Sequence, residues 1–514
     1  MAWIGPGATD MTRASAIRLW TIVAIIVALE VVCRMHWVRP GLIVAPSEMV
    51  VEIVRLMGTA AFWSSVWTST RSFLIAFVLA MIAGCVIGLV LHAFPRVRST
   101  VEPLISSWYA LPFFVVYPLL IVLFGMNEKP IILIGFLYAV MAVIIGVLNG
   151  LDRIPAVLTR TGRMLGINSI QQAWFVSLPA AAPYVFTGAK LAFGYAITGV
   201  LGSEFILANA GYGYDIAFAY NNFADKTMYA LLLFLLVAVA LITIGLERAS
   251  RAVEHRSGAS RVSDVLKPAT MTSRLVASII IAAVLLSAWQ ITHLVVGQEA
   301  LASPWVTLQR LVPLLTGEEF WTHVRETFLA LGFALLLSCV LGAILGALVG
   351  MSATATAAVT PVIVTLYALP KIALYPVVLL FFGVSFAAKV VFGAMYGFIP
   401  MMLIVINAIQ SMNPALRKTA RVMCLSQVQT LGTVVQPAMV PEVVTGIRVS
   451  FSITFLGVMI GEMFGSPRGL GYVLMRSITI NDTATIMGVT VLVGIFAVVI
   501  NASLVALDNA THHA

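Results

Sequence analysis

Residues 109–125 read YALPFFVVYPLLIVLFG, and residues 367–383 read YALPKIALYPVVLLFFG. The second stretch lies 258 positions after the first, and the same shift aligns residues 46–213 with residues 304–471. An internal repeat of this kind decides the fold before any local assignment is made. Each copy is far longer than a solenoid unit, so the sequence predicts two similar domains fused in tandem around a central seam. Matching pairs at this shift include Trp63/Trp321, Pro103/Pro361, Asn149/Asn407, Pro179/Pro437, Gly188/Gly446 and Glu204/Glu462.

The repeat also predicts how the chain is divided. The first half is expected at residues 1–248 and the second half at residues 274–514. Residues 249–273 lie between them and are polar and rich in Ser and Arg, which is typical of a linker, here expected on the cytoplasmic side.

The composition places both halves in a membrane. Apolar residues make up 61% of the chain and charged residues 10%, against about 45–50% and about 25% in soluble domains. The apolar stretches are continuous rather than alternating, and a helix of about 20 residues crosses a bilayer. The sequence therefore predicts an all-α polytopic protein with about twelve transmembrane helices. The spans are expected at residues 19–32, 72–91, 104–124, 131–148, 191–207, 228–246, 275–296, 327–350, 361–382, 390–409, 449–464 and 486–507.

Loop charges predict the orientation, because cytoplasmic loops are enriched in Lys and Arg. Basic residues follow the second, fourth, sixth and tenth spans, so both termini are expected in the cytoplasm. The loop at 34–55 fits poorly, since it is assigned outside and holds three arginines, and the inside loop at 351–360 has no charge. The net charge of +9 follows from the inside loops and suits contact with anionic lipid. Nucleic-acid binding is not expected, because the chain has no soluble domain.

The sequence carries little that could support chemistry. No glycine-rich loop ending in Lys-Ser or Lys-Thr is present, so the chain is not expected to hydrolyse a nucleotide. Its four cysteines, Cys33, Cys85, Cys339 and Cys424, do not have metal-ligand spacing. No catalytic residue, metal or cofactor is therefore expected in this chain.

The loops after the fourth and tenth spans are the most informative. Residues 159–166 read TRTGRMLG and residues 418–424 read KTARVMC. Pro179 lies 13 positions after Gly166, and Pro437 lies 13 positions after Cys424. Apolar residues in the second loop recur at three and four positions, which is a helical period. Each half is therefore predicted to place a short amphipathic helix in the cytoplasm, where it can sit in a groove of another protein.

These loops resemble the cytoplasmic loop of bacterial ABC-importer permeases. That pattern is Glu-Ala-Ala, three residues, Gly, nine residues, Ile, one residue and Leu-Pro. Arg160 and Lys418 take the place of the Glu, and Cys424 takes the place of the Gly in the second half. The resemblance implies that contact with the ATPase is made by Arg160, Gly162, Arg163, Gly166, Leu178, Pro179, Lys418, Ala420, Arg421, Cys424 and Pro437.

Other segments resemble the nitrate, sulfonate, taurine and bicarbonate-type permeases, namely residues 109–125, 183–190, 367–383, 445–448 and 461–472. Members of that group are usually single six-span chains that dimerise, and this chain resembles both subunits fused. The resemblance implies the type I importer fold in a bacterial inner membrane, with two copies of an ABC ATPase that carry ATP and Mg. It also implies a soluble extracytoplasmic binding protein, alternating access, and a small solute, expected to be an organic or inorganic anion.

A secondary transporter of the major-facilitator kind is the alternative, because it also has two six-span halves. Residues 150–153 together with Arg160, Gly162 and Arg163 faintly echo its basic loop. That echo follows the fourth span rather than the second and has no counterpart in the second half.

Charged and polar residues inside the spans are candidates for the translocation pathway. Lys371 is expected at the seam, where the first half has Phe113, and it suits an anion unless it snorkels or pairs with a carboxylate. Glu204 and Glu462 are expected either to gate the pathway or to cap a helix end. Tyr109, Tyr117, Tyr367 and Tyr375 are expected to line the path or to pack, and Asn149 and Asn407 to hydrogen-bond across helices.

Overall fold

The computed structural model describes residues 8–39, 41–108, 113–154, 171–254, 271–412 and 439–513, together with short stretches at 157, 161–162, 164–168, 415–416, 422–426, 429 and 431–435. Every regular element in these residues is a helix. The predicted linker lies almost wholly outside the described residues.

The first half contains nine α-helices among its described residues. A 3-10 turn at Phe113–Val115 precedes the fifth, and a π-helical turn at Gln172–Ser177 precedes the seventh. The helices are α1 (Ala8–Arg34), α2 (Pro46–Met57), α3 (Ala60–Ala93), α4 (Pro95–Ser107), α5 (Tyr117–Phe124), α6 (Glu128–Leu151), α7 (Leu178–Leu207), α8 (Tyr212–Asn221) and α9 (Asp225–Glu254).

The second half repeats this order. Helices α2 to α6, α8 and α9 each begin 258 positions before their counterparts, which confirms the repeat and extends it beyond residue 213. The second-half helices are α10 (Met271–Val296), α11 (Pro304–Thr316), α12 (Glu318–Gly350), α13 (Ala353–Ala368), α14 (Tyr375–Phe382), α15 (Phe386–Ser411), α16 (Val440–Gly465), α17 (Leu470–Thr479) and α18 (Thr483–His513).

The third predicted span of each half is not one continuous helix. In the second half the chain bends by 88° between Ala353–Tyr367 and Lys371–Phe382. Leu369 is extended, as expected of a residue that precedes a proline, and Tyr375 begins a new helix with Pro376 in its first turn. The continuous spans expected at 104–124 and 361–382 are therefore wrong. Nine helices of the described chain are long and apolar enough to cross a membrane, or ten if the bent pair counts as one.

The first helix of each half packs on the other half. Helix α1 contacts α13, and α10 contacts α4. Pro361 has no N–H, so it leaves the carbonyl of Ala357 without its helical donor. The guanidinium of Arg18 donates to that carbonyl at 3.3 Å and to Ala358 O at 3.2 Å. The halves are thus interlocked by exchanged helices.

Within each half the tightest packing lies where the helix before the cytoplasmic loop crosses the helix after it. At the crossing of α6 with α7, a Cβ on Gly188 would lie 2.8 Å from Ala142 O and 3.1 Å from Gly146 Cα. The backbones can approach so closely because both residues are glycines. At the equivalent crossing, a Cβ on Gly446 would meet the flexible side chain of Met401, whose Sδ lies 2.6 Å away.

We predict that Gly188→Ala destabilises the protein more than Gly446→Ala. The first change meets a backbone carbonyl that cannot move aside, at an overpacking cost of about 1–3 kcal/mol, while the second displaces only a methionine side chain. The measurement is the melting temperature of each purified variant in detergent. Equal losses in the two variants would contradict this account of the crossing.

Candidate functional site

A cavity of about 450 Å³ lies between the two halves. Residues of α6, α7 and α9 form its wall on one side, and residues of α13, α15, α16 and α18 form it on the other. Equivalent positions of the repeat face each other across it. These pairs include Phe113/Lys371, Tyr138/Tyr396, Lys190/Arg448, Leu191/Val449, Gly194/Ser452 and Thr243/Asn501.

The cavity follows α7 from Lys190 to Thr198, and it lies toward the end of the helix that follows the cytoplasmic loop. Beyond it the seam is closed. A Cβ on Gly202 would collide with the ring of Phe114 and lie 3.1 Å from Ile372 Cδ1, and Phe114 and Ile372 occupy the same repeat position. One turn further, the rings of Phe205 and Phe464 meet edge to face with centroids 4.8 Å apart.

Lys371 lies in the cavity wall and is 7% exposed. Its ammonium donates to Tyr367 O at 3.3 Å and lies over the rings of Tyr367 and Tyr396, 4.7 and 5.4 Å from their centroids. Among the described residues, no carboxylate lies within ion-pair distance of it. Lys389, the other buried lysine of the described chain, has two carboxylate partners. Pairing of Lys371 with a described carboxylate, one of the two alternatives to an anion site, is therefore not found.

Tyr138 and Tyr396 also line the cavity, and the sequence analysis missed both. They are 5% and 3% exposed, and their hydroxyls have no hydrogen-bond partner among the described residues. The Tyr138 hydroxyl lies near the backbone of Phe114 without a bond of ordinary geometry. The signal that could have identified them is their equivalence under the 258-position shift, inside two predicted spans.

The other predicted pathway residues lie in different places. Tyr367 lines the cavity, whereas Tyr117 and Tyr375 are buried outside it. The Tyr375 hydroxyl donates to Gly461 O at 2.7 Å. Asn149 and Asn407 are exposed, and neither forms an interhelical hydrogen bond to a described residue. Tyr109 lies outside the described residues.

Glu204 holds the end of α7 to the start of α8. Its carboxylate is 1% exposed and accepts from Ser69 Oγ at 2.7 Å and from the backbone N–H of Gly213 at 2.9 Å. Gly211 has φ +115°, and a Cβ there would lie 2.5 Å from the carboxyl carbon of Glu204. Glycine is therefore required at 211 for both its conformation and its size.

Glu462 makes the same arrangement in the second half, with Thr327 Oγ1 at 2.8 Å and the Gly471 N–H at 3.1 Å. Neither carboxylate lines the cavity. The geometry favours the helix-capping interpretation of this pair, and a gating role stays a prediction.

The two carboxylates differ in their charge environment. Lys389 Nζ lies 3.6 Å from Glu462 and 3.0 Å from Glu326, and its side chain is almost fully buried. The equivalent residues of the first half are Ile131 and Thr68, so Glu204 has no such lysine. This difference was visible in the aligned sequences and was overlooked.

The cytoplasmic loops share a backbone path despite their different sequences. Gly166 has φ +69° and Cys424 has φ +49°. Both values lie in the left-handed region that favours glycine. Gly162 is buried against the side chain of Gln172, and Pro179 is exposed in the first turn of α7. The other predicted coupling residues Arg160, Arg163, Lys418, Ala420, Arg421 and Pro437 lie outside the described residues, and the structure describes Leu178 only as the first residue of α7.

Asp152 anchors the segment that leads into the first of these loops. Arg98 donates to both of its carboxylate oxygens at 2.7 Å, and His92 Nδ1 lies 3.3 Å away. Burial alone would raise the pKa of Asp152, but Arg98 and His92 hold it at about 2. The carboxylate therefore ties the end of α6 to α3 and α4 at any physiological pH.

We predict that Lys389→Met destabilises the protein by about 3–5 kcal/mol, because it leaves Glu462 buried without its cation. The matched control is Ile131→Met, the same repeat position in the first half, where an apolar exchange costs less than about 1.5 kcal/mol. Thermal unfolding in detergent compares the two. Addition of Glu462→Gln to Lys389→Met should recover part of the loss. Equal stability of the two single variants would show that the ion pair does not hold this helix end.

Comparison with known proteins identifies the repeat. The family described as "Binding-protein-dependent transport system inner membrane component" matches residues 76–259 and again residues 338–512. These matches cover more than half of the chain, and each falls in a different half of the structure.

Individual relatives each correspond to about half of the chain. The taurine transport system permease protein of Escherichia coli is 23% identical over 251 residues, which are 48% of this chain and 90% of the relative. The putative aliphatic sulfonates transport permease protein of Bacillus subtilis is 27% identical over 223 residues, which are 43% of this chain and 80% of the relative. The formylaminopyrimidine transport permease protein of Halalkalibacterium halodurans is 27% identical over 222 residues, with 43% and 88% covered. These relatives support an importer permease and not a major-facilitator transporter. The chain belongs to the binding-protein-dependent inner membrane components, as an ABC-importer permease in which two copies of the family domain are fused.

Proposed function

We propose that this permease conducts a small anionic solute through the cavity at the seam. The observation that carries the proposal is the buried ammonium of Lys371, which faces the cavity without a carboxylate among the described residues. A buried charge without a counter-charge is costly, so an anion that enters the cavity is stabilised by Lys371.

Further cations support an anionic solute. Lys190 and Arg448 line the cavity at equivalent positions, nearer the cytoplasmic loops than Lys371. Arg448 is balanced in part by Asp508 at 3.2 Å. Such a lining raises the local concentration of anions. Two of the relatives are named for taurine and aliphatic sulfonates, which carry a sulfonate group.

We further propose that the energy for transport comes from a separate ATPase. The chain has no phosphate-binding loop, and its two cytoplasmic loops are repeated with left-handed residues at the same position. Two ATPase copies, with ATP and Mg, would bind these loops through the residues around Gly166 and Cys424. Both termini would then lie in the cytoplasm, and a soluble binding protein would deliver the solute at the opposite face.

This arrangement supports alternating access. The seam is sealed beyond the cavity by Phe114, Ile372, Phe205 and Phe464, on the side away from the loops. Closure of the ATPases would rotate the halves and separate these contacts. ATP can drive that change only if it binds one arrangement of the halves better than the other.

The experiment reconstitutes the chain with its ATPase and binding protein in liposomes and follows uptake of taurine and methanesulfonate. The chain alone should hydrolyse no ATP, and uptake should require the ATPase. Hydrolysis by the isolated chain, or uptake driven by a proton gradient without the ATPase, would contradict the proposal.

We predict that Lys371→Met lowers uptake at least tenfold, because it removes the ammonium while the stem volume stays. Assembly with the ATPase and basal hydrolysis should survive, since the loops are unchanged. Lys371→Arg should retain partial activity, because the charge remains and its shape differs. Melting temperatures are measured in parallel. Unchanged uptake by Lys371→Met would remove Lys371 from the pathway, and loss of uptake together with a strongly lowered melting temperature would assign it a structural role.

A further inference from the structure

We infer that the cavity contains a subsite for one oxyanion head group, made by Lys371 with the hydroxyls of Tyr138 and Tyr396. We also infer that Phe113, at the repeat position of Lys371, limits the accepted charge to one. This inference rests on the proposed function and specifies it, since it names which anions the cavity holds and which residues select them.

The two hydroxyls indicate a missing acceptor. Buried hydroxyls in native proteins are almost always hydrogen-bonded, and an unsatisfied one is costly. Tyr138 and Tyr396 leave this need unmet at equivalent positions on the two sides of the seam. Lys371 lies 5.4 Å from the ring centroid of Tyr396, so the ammonium and that tyrosine border the same part of the cavity. An oxyanion offers several acceptor oxygens to one ammonium and two hydroxyls, whereas a cation would be repelled by Lys371.

The charge limit follows from the difference between the halves. Phe113 is buried and packs against Trp108 and Tyr138, with ring centroids 4.9 and 5.5 Å apart. Lys371 is the one buried cation in the described cavity wall, and it can balance one negative charge. A second negative charge would remain uncompensated at low dielectric, where such interactions are strong. The ring of Phe113 instead offers an apolar surface to the uncharged part of the solute.

The cavity is suitable in size and polarity for such a solute. Its volume of about 450 Å³ lies in the range of small-molecule sites, roughly 300–1,000 Å³, which are mostly apolar with a few placed polar groups. An organic monoanion with one charged head and a short apolar body satisfies both sides. The two sides differ, so the solute is held in one orientation although the halves are related by a repeat.

The experiment compares methanesulfonate with sulfate, which are close in shape and carry one and two negative charges. Binding of each anion to the purified chain in nanodiscs is measured by calorimetry and by the rise in melting temperature. The wild-type chain should bind methanesulfonate at least tenfold more tightly than sulfate. Tyr396→Phe and Tyr138→Phe should each weaken methanesulfonate binding about tenfold, the effect of one lost hydrogen bond to a charged group. The control is Tyr212→Phe, which removes a buried hydroxyl bonded to Leu231 O outside the cavity and should leave the affinity unchanged.

Phe113→Lys supplies the decisive variant, because it places a lysine at both copies of the position. It should raise the affinity for sulfate relative to methanesulfonate at least tenfold. Equal binding of the two anions by the wild-type chain, or unchanged affinity in both tyrosine variants, would overturn the subsite even if Phe113→Lys does not fold. If ATPase-dependent uptake persists in that case, the proposed function stands and the subsite alone fails. If neither anion binds and no uptake depends on the ATPase, the proposed function fails as well.

Discussion

The closed part of the seam is the contact on which the rest of the structure depends. Phe114 and Ile372 occupy one repeat position and pack together over Gly202, where a side chain would collide with the phenylalanine ring. This packing joins the halves on the side away from the cytoplasmic loops and leaves a cavity on the near side. The exchanged helices α1 and α10 hold the halves together around it, with Arg18 bonded to carbonyls that Pro361 leaves free.

Duplication has kept the backbone of each half and changed selected side chains. Gly166 and Cys424 keep the same left-handed conformation, although only one of them is glycine. Glu204 and Glu462 keep the same capping hydrogen bonds, although only Glu462 has a lysine beside it. At the seam, Phe113 and Lys371 give the two sides of one cavity different chemistry. A dimer of identical subunits could not make that difference, because each residue would appear on both sides.

The sequence was enough to predict the repeat, the helical membrane fold and the presence of Lys371 at the seam. These follow from apolar content and from a constant shift, which local residues determine. It did not reveal the break of the third span, because a window average cannot detect an extended residue before Pro370. It also missed Tyr138 and Tyr396, since a tyrosine in an apolar span looks the same whether its hydroxyl is satisfied or not. Only the packing of the two halves shows that these hydroxyls face a common space.

The most direct measurement of the account is cross-linking across the closed seam. Phe205→Cys and Phe464→Cys are combined in a chain whose four native cysteines are replaced by serine, with a protease site placed between the halves. The rings of these residues are 4.8 Å apart, so a short thiol cross-linker should join the two fragments after cleavage, and the joined protein should no longer transport. Fragments that separate completely after treatment, with both cysteines freely modified by maleimide, would contradict a seam closed on this side of the cavity.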